Sequence, residues 1–513
     1  MTGSTAAGDT PEPQGRFLGG GLLLVAIAQL SLTLPLARHL SIWIDEAYTL
    51  STTGSGPGHA LRQAVGFELQ PPGYYFALSL WRELAPGLFG ARLFSVACAV
   101  SAVGLVAAAS RRVLPELWPG WAALVLAFAP GTLKAAVDAR PYAMALAVAA
   151  ALVWALEPAF LSGKGHTAWR AAFAALACLA VYTQYYLAFL LLAIGVAVWL
   201  TRGTRAFAVY VLCMLPALAS LAPLLGLLGG QVTAHTVAST PLRLGQALGA
   251  SIAAFEEALL PVSTLADGRL ARWMLRALFA LPLLALVAFN LRETRARDAF
   301  RARGTPLAVV SFVVVIVFLA LCVRFGPDIA SGRHALFLLP VLVLLLFAGL
   351  VPGPARRAAA CGAAWLLGWF AYANVFAYRD LAKEGDHARV AEYLLRHERP
   401  GQPILVFVAD NALALRFHYQ GANRILPIPE PVSLRRYDPR AFAWQSREHV
   451  ASVLRAVLEG AADFWLVTYS RETADTGSRG GLLEAEIDER YEVVRQERFK
   501  GATLVRLLRA RVR

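Results

Sequence analysis

From residue 17 to residue 378 the chain alternates long apolar runs with short polar breaks. A helix that crosses a hydrocarbon core needs roughly 17 to 25 mostly apolar residues, and about eleven runs fit or approach that length. They lie near 17–38, 90–110, 119–134, 140–157, 170–183, 185–201, 206–228, 272–290, 306–323, 335–351 and 358–378. Tyr182, Gln184, Tyr185 and Tyr186 interrupt one of these stretches, and a tight turn between two short spans is predicted there, with one long tilted helix as the alternative. Beyond residue 380 the pattern changes to charged segments around two short apolar strands, 404–408 and 464–468. Helical stretches near 383–397, 411–419 and 446–459 and hairpin-like strands at 491–496 and 502–508 complete a predicted α/β unit. The predicted fold class is an α-helical polytopic membrane protein with a C-terminal soluble α/β domain.

Composition agrees with the pattern: 58% of the 513 residues are hydrophobic and only 16% are charged. Lys and Arg of short loops stay on the cytoplasmic side. With the N-terminus inside, the inner loops carry Arg111 and Arg112, then Lys164 and Arg170, then Arg202 and Arg205, then Arg292 through Arg303, then Arg356 and Arg357. The net charge of +14 is therefore spread over membrane loops and forms no single basic face, which argues against nucleic acid as a partner. Residues 1–16 read as a disordered cytoplasmic tail, since they lack the apolar stretch of a signal peptide. Residues 17–380 form the membrane domain, with outer loops 41–89 and 229–271, and residues 381–513 an extracytoplasmic domain. All five cysteines sit in apolar runs without metal-ligand spacing.

That orientation places a set of ionisable residues on the outer face. Asp45 and Glu46 follow the first span between Trp43 and Tyr48, where two carboxylates would meet lipid headgroups. Glu68 precedes Gln70-Pro71-Pro72-Gly73-Tyr74-Tyr75, a helix-stopping turn beside an aromatic cluster. Asp138, Arg140 and Tyr142 stand at the mouth of the fourth span, where charges are costly unless paired or facing water. Arg324, Arg333 and His334, in the same segment as Asp328, supply cations suited to a phosphate. Each segment alone also has a plain structural reading: an ordinary connector at 41–51, an interfacial turn with an aromatic anchor at 67–76, a structural Asp138–Arg140 pair, and a structural His334 at a helix start. The 229–271 segment, with Gln231, His235, Arg243, Glu256 and Glu257, would cover a bound lipid. No P-loop or Gly-rich phosphate cradle is present.

In order and sidedness these segments resemble the GT-C superfamily of integral membrane glycosyltransferases. The nearest branch is that of the protein O-mannosyltransferases and the lipid A aminoarabinose transferases, with their bacterial relatives. Asp45 and Glu46 match the acidic pair of the family's first outer loop, and residues 70–75 match its Pro-Pro-x-Tyr-Tyr segment. Asp138, Arg140 and Tyr142 match its acidic-x-Arg-x-Tyr segment, and Arg333-His334 ahead of Leu338-Leu339-Pro340 match its late Arg-Tyr/His pair. The resemblance covers roughly residues 15 to 380. It implies a GT-C-like fold and inverting transfer of a hexose or pentose from a polyprenyl-phosphate donor to a hydroxyl of a glycan, lipid or protein. The site would lie on the outer face of a bacterial cytoplasmic membrane.

Within that reading Asp45 is the general base, with Glu46 and Asp138 beside it in the catalytic set. Glu68, Gln70, Tyr74, Tyr75, Arg140, Tyr142, Arg324, Arg333 and His334 bind substrate. The leaving phosphate needs positive charge, either from these arginines or from a divalent cation (Mg²⁺, Mn²⁺ or Ca²⁺) held by Asp45, Glu68 and Asp138. Gln70 stands where relatives often have His, which weakens the metal alternative. A flippase or transporter of lipid-linked sugars, or a non-catalytic scaffold, are the competing classes. Against the first, the mid-span regions are nearly free of charge and no internal repeat is visible.

Overall fold

The computed structural model describes residues 14–162, 166–236, 240–351, 356–435, 443–469 and 479–511. Lys164 and the side chains of His235 and Asp328 lie outside this described set. Eight helices among the described residues are long and apolar enough to cross a membrane: Gly20–His39, Gly87–Val113, Tyr142–Leu161, Leu187–Leu227, Arg269–Asn290, Thr294–Phe325, Gly332–Leu350 and Arg357–Tyr378.

The difference from the eleven expected runs has local causes. The runs near 185–201 and 206–228 share the long helix Leu187–Thr236, which is broken at Gly203 (φ 80°, ψ −179°), a backbone angle that suits glycine. Thr167–Thr183 is a separate, shorter apolar helix, ending in the predicted turn at Gln184. The run 119–134 is two pieces, Pro119–Phe128 and Pro130–Ala136. Pro130 has no amide hydrogen to continue the first helix and instead opens the second. The first piece, at 10 residues, rises only about 15 Å, half a hydrocarbon core.

Small residues set the packing of the central pair. Ala91, Ala99, Ala102 and Ala107 on α5 (Gly87–Val113) and Ala143, Ala149 and Ala150 on α8 (Tyr142–Leu156) are all wholly buried. Side chains of this size let helix backbones approach closely, which is how membrane helices associate where lipid offers no hydrophobic contrast.

The segment 41–89 is largely helical: α2 (Ile44–Thr53), α3 (Pro57–Gly66) and α4 (Gly73–Leu84). Gly73 packs so tightly on the last turn of Thr167–Thr183 that a β-carbon there would stand 2.6 Å from the Tyr182 carbonyl oxygen. The segment 229–271, expected as a covering loop, is also mostly helix. Leu187–Thr236 runs into it, and Leu244–Leu259 follows. That second helix lies against Pro130–Ala136, where a β-carbon on Gly131 would meet the Ala258 carbonyl oxygen at 2.4 Å.

The C-terminal region folds around a five-stranded sheet. Its strands are β1 (Ile404–Phe407), β2 (Ile425–Pro427), β3 (Asp463–Tyr469), β4 (Tyr491–Phe499) and β5 (Thr503–Ala510), in the order β2-β1-β3-β5-β4. β1 runs parallel to β2 and β3, and β5 is antiparallel to β3 and β4. Continuous burial along β1 and nearly all of β3 suits strands covered on both faces. Ile404, Val406, Trp465 and Val467 enter one apolar cluster, while Leu405, Phe407, Phe464 and Leu466 enter another. Helices His387–His397, Asn411–His418 and Arg447–Leu458 fall where the pattern predicts them. Strand β2 and the helix Arg479–Arg490 are additional to that pattern.

Candidate active site

The site is built on α2. Asp45 and Glu46 occupy its first turn, where the unpaired amides of a helix start favour negative charge. Successive helical residues point about 100° apart, so the two neighbouring carboxylates enter different surroundings.

Glu46 turns inward and is wholly buried. Its Oε1 accepts from Arg92 Nε at 2.8 Å and from the Ala139 amide at 3.0 Å. Its Oε2 accepts from Arg92 Nη2 at 2.7 Å and from the Trp43 amide at 3.3 Å, and lies 2.9 Å from Lys383 Nζ. Burial pushes its acid up, but the Arg92 and Lys383 cations prevail and hold the carboxyl down at about 2. Arg92 also donates to the carbonyls of Ala37, Leu40 and Ser41, closing the end of the first membrane helix over the site.

Asp138 belongs to the same inner group. Its Oδ1 accepts from Lys383 Nζ at 2.6 Å, and Ser95 Oγ holds its backbone carbonyl at 2.6 Å. Glu68 is fixed from three sides, by Arg140 Nη1 at 2.8 Å, Tyr75 OH at 3.1 Å and Thr52 Oγ1 at 3.1 Å. Arg140 Nη1 donates in addition to the Asp45 carbonyl and to Thr49 Oγ1, which ties α2 to the start of α8.

Asp45 turns toward the open side. Its Oδ2 accepts from Arg333 Nη1 at 2.7 Å, with Arg140 Nε at 4.0 Å. The side chain of Asp45 is 19% exposed, against 0% for Glu46, 3% for Glu68 and 5% for Asp138. Of these four carboxylates it is the one a ligand reaches most readily. Arg333, 37% exposed, faces the same space.

An aromatic wall adjoins Arg333. The His334 ring stacks on Tyr186 with centroids 4.4 Å apart and 11° between planes, and Tyr142 meets it edge-on at 6.4 Å. Ser331 Oγ lies 3.1 Å from His334 Nδ1, and Tyr186 OH donates to the Ile329 carbonyl.

Several expected residues stand elsewhere. Arg324 is exposed and lies over the Phe325 ring. Tyr74 and Tyr75 are wholly buried and packed on each other, so they brace the loop and offer no face to a ligand. Gln70 is partly buried just after the turn, its amide bonded to the Ala64 carbonyl. The three carboxylates offered to a divalent ion are each matched to a different cation: Asp45 to Arg333, Glu68 to Arg140, Asp138 to Lys383. Among the described residues no group of three or more His, Cys, Asp or Glu is placed to hold a metal.

The C-terminal domain reaches the same place. Tyr48 OH donates to Asp410 Oδ2 at 2.9 Å, and the Ile42 amide donates to His418 Nε2 at 3.2 Å. Burial pushes the Asp410 acid up to about 6, with Asp45 adding to the effect. Sequence reasoning missed Arg92, Lys383 and Asp410. Arg92 carried a signal, being an ionisable residue inside an apolar span. Lys383 and Asp410 carried none, since both lie in ordinary polar stretches beyond the membrane region.

No protein-family model matches the chain, and no curated protein matches it. Solved structures do. ArnT from Cupriavidus metallidurans in the apo state aligns over 96% of this chain and 97% of its own, with a TM-score of 0.54 at 15% identity. The same protein bound to undecaprenyl phosphate aligns over 97% and 98%, with a TM-score of 0.53 at 13% identity. An oligosaccharyltransferase of Archaeoglobus fulgidus aligns over 89% of this chain and 70% of its own, with a TM-score of 0.47 at 11% identity. From its first membrane helix to its C-terminal sheet, the chain shares the fold of ArnT from Cupriavidus metallidurans.

Proposed function

We propose that this protein moves a sugar from a polyprenyl-phosphate donor to an acceptor hydroxyl at the outer face of a bacterial cytoplasmic membrane. Its N-terminus then lies inside and its C-terminal domain outside. The observation that carries this reading is the pairing of Asp45, the most accessible carboxylate of the four, with the half-exposed Arg333 at 2.7 Å. The fold shared with a protein solved with undecaprenyl phosphate supports the choice of donor.

The chemistry is a single displacement. Asp45 takes the proton of the acceptor hydroxyl as that oxygen bonds to the anomeric carbon. The bond from that carbon to the phosphate oxygen breaks, and its electron pair leaves with the polyprenyl phosphate. Attack and departure occur on opposite faces, so the configuration inverts. Arg333 turns from Asp45 to the phosphate as the donor binds, which frees the carboxylate oxygen and places a cation where charge develops. Arg140 stays on Glu68 and supplies a second positive charge behind it. Glu46 and Asp138 hold the frame and take no part in proton transfer. The acceptor is a glycan, a lipid or a protein.

A panel of synthetic polyprenyl-phosphate pentoses and hexoses, added to the protein in lipid, tests this reading. Release of polyprenyl phosphate from at least one donor is expected. Movement of donor across the bilayer with no release from any of them would make the protein a carrier instead.

A further inference from the structure

We propose that the Lys383 ammonium takes the place of a divalent cation between Glu46 and Asp138, so that the linker into the C-terminal domain, and no metal, balances the inner charge of the site. Lys383 Nζ stands 2.6 Å from Asp138 Oδ1, 2.8 Å from the Val137 carbonyl oxygen and 2.9 Å from Glu46 Oε2. An ammonium has three N–H donors, and three oxygens receive them here. Mg²⁺ needs six oxygens at about 2.0–2.1 Å and Ca²⁺ six to eight at about 2.3–2.6 Å, so this triad is built for an ammonium.

Charge decides in the same direction. Glu46 and Asp138 carry two negative charges, and Arg92 and Lys383 carry two positive ones. A divalent ion added to that buried, balanced group would leave two uncompensated charges, and unpaired charge at low dielectric is costly. Access is not the obstacle. A cavity of about 350 Å³, lined by Trp43, Lys134, Asp138, Tyr378, Lys383 and Lys500 among others, opens beside the ammonium. The backbone keeps Lys383 in register, its amide donating to Ser41 Oγ at 3.3 Å.

This deepens the glycosyl-transfer reading by making it metal-independent, yet its test does not need turnover. Mn²⁺ binding by electron paramagnetic resonance and thermal unfolding are measured on the full-length protein in lipid, for the parent and for Lys383→Ala. The parent is expected to bind no Mn²⁺ specifically and to unfold at the same temperature with Mn²⁺ or with EDTA. Lys383→Ala leaves two carboxylates facing one arginine, and it is expected to gain a saturable Mn²⁺ site whose occupation raises its unfolding temperature. A specific Mn²⁺ site in the parent that Asp138→Asn removes overturns the proposal. So does a folded Lys383→Ala that gains none. If that variant does not fold in either condition, the parent measurement decides alone. Failure of the parent to turn over any donor would count against glycosyl transfer and leave the Mn²⁺ result standing.

Discussion

Replacing Glu46 by Gln separates support from catalysis at two adjacent carboxylates. Two donors reach Oε1, Arg92 Nε and the Ala139 amide, and three reach Oε2, namely Arg92 Nη2, the Trp43 amide and Lys383 Nζ. A carboxamide keeps one oxygen and turns the other into an NH₂ donor, so at least two of these partners then face a donor. Hydrogen bonds to charged groups contribute about 1.5–3 kcal/mol each, and breaking a buried ion pair from one side costs about 3–5 kcal/mol. Both routes place the loss near 3–5 kcal/mol. Because folding depresses this acid to about 2, its stabilisation is fully present above its unfolded value of 4.5 and is lost progressively as pH falls from there through about 2. Neutral pH therefore shows the whole effect. The assay pairs denaturant unfolding in lipid or detergent with donor turnover: Glu46→Gln should unfold markedly earlier than the parent. A Glu46→Gln protein with the parent's unfolding midpoint that still loses turnover would refute this division of labour and make Glu46 part of the chemistry.

Other outcomes follow from the same geometry. Arg333→Ala should lower donor turnover by about 10²–10³, the size of one lost charge-stabilising donor, whereas steady-state kinetics of Arg324→Ala should match the parent. Asp410→Asn keeps an acceptor for Tyr48 and removes a carboxyl whose acid is raised from 3.8 to about 6. In the parent this group favours the folded state most below its unfolded value, and that advantage fades as pH rises through 6. The variant should therefore be about 1–3 kcal/mol more stable at neutral pH, and unfolding measured across pH should show its slope between 4 and 6 flattened. Gly131→Ala pushes a β-carbon to 2.4 Å from both the Ala258 oxygen and Leu336 Cδ2, and differential scanning should show destabilisation in the usual overpacking range of about 1–3 kcal/mol.

Hydrophobic run length made the membrane helices legible, because a helix exposed to lipid has to satisfy its own backbone and stay apolar along its length. It blurred where backbone chemistry intervened, at Pro130, which splits one expected span, and at Gly203, which bends one helix into two arms. The acids and arginines between the membrane helices were legible as types because charge near a membrane has few cheap places to sit. Their division was not. Nothing in the order Asp45-Glu46 says which one meets Arg92, since that arginine lies 46 residues away and the choice depends on how α2 sits on α5. Lys383 is 245 residues from Asp138, in a linker whose composition marks no site. Only the docking of the C-terminal domain brings it home.

Turnover by Asp45→Asn tests the central claim most directly. The variant keeps the shape of the side chain and an acceptor for Arg333, so it should unfold at the parent's midpoint and still bind donor. Its release of polyprenyl phosphate from a synthetic polyprenyl-phosphate sugar should fall by about 10²–10⁴, the usual contribution of a general base. Release within a few-fold of the parent, from protein folded to the same degree, would contradict the assignment of Asp45 as the base.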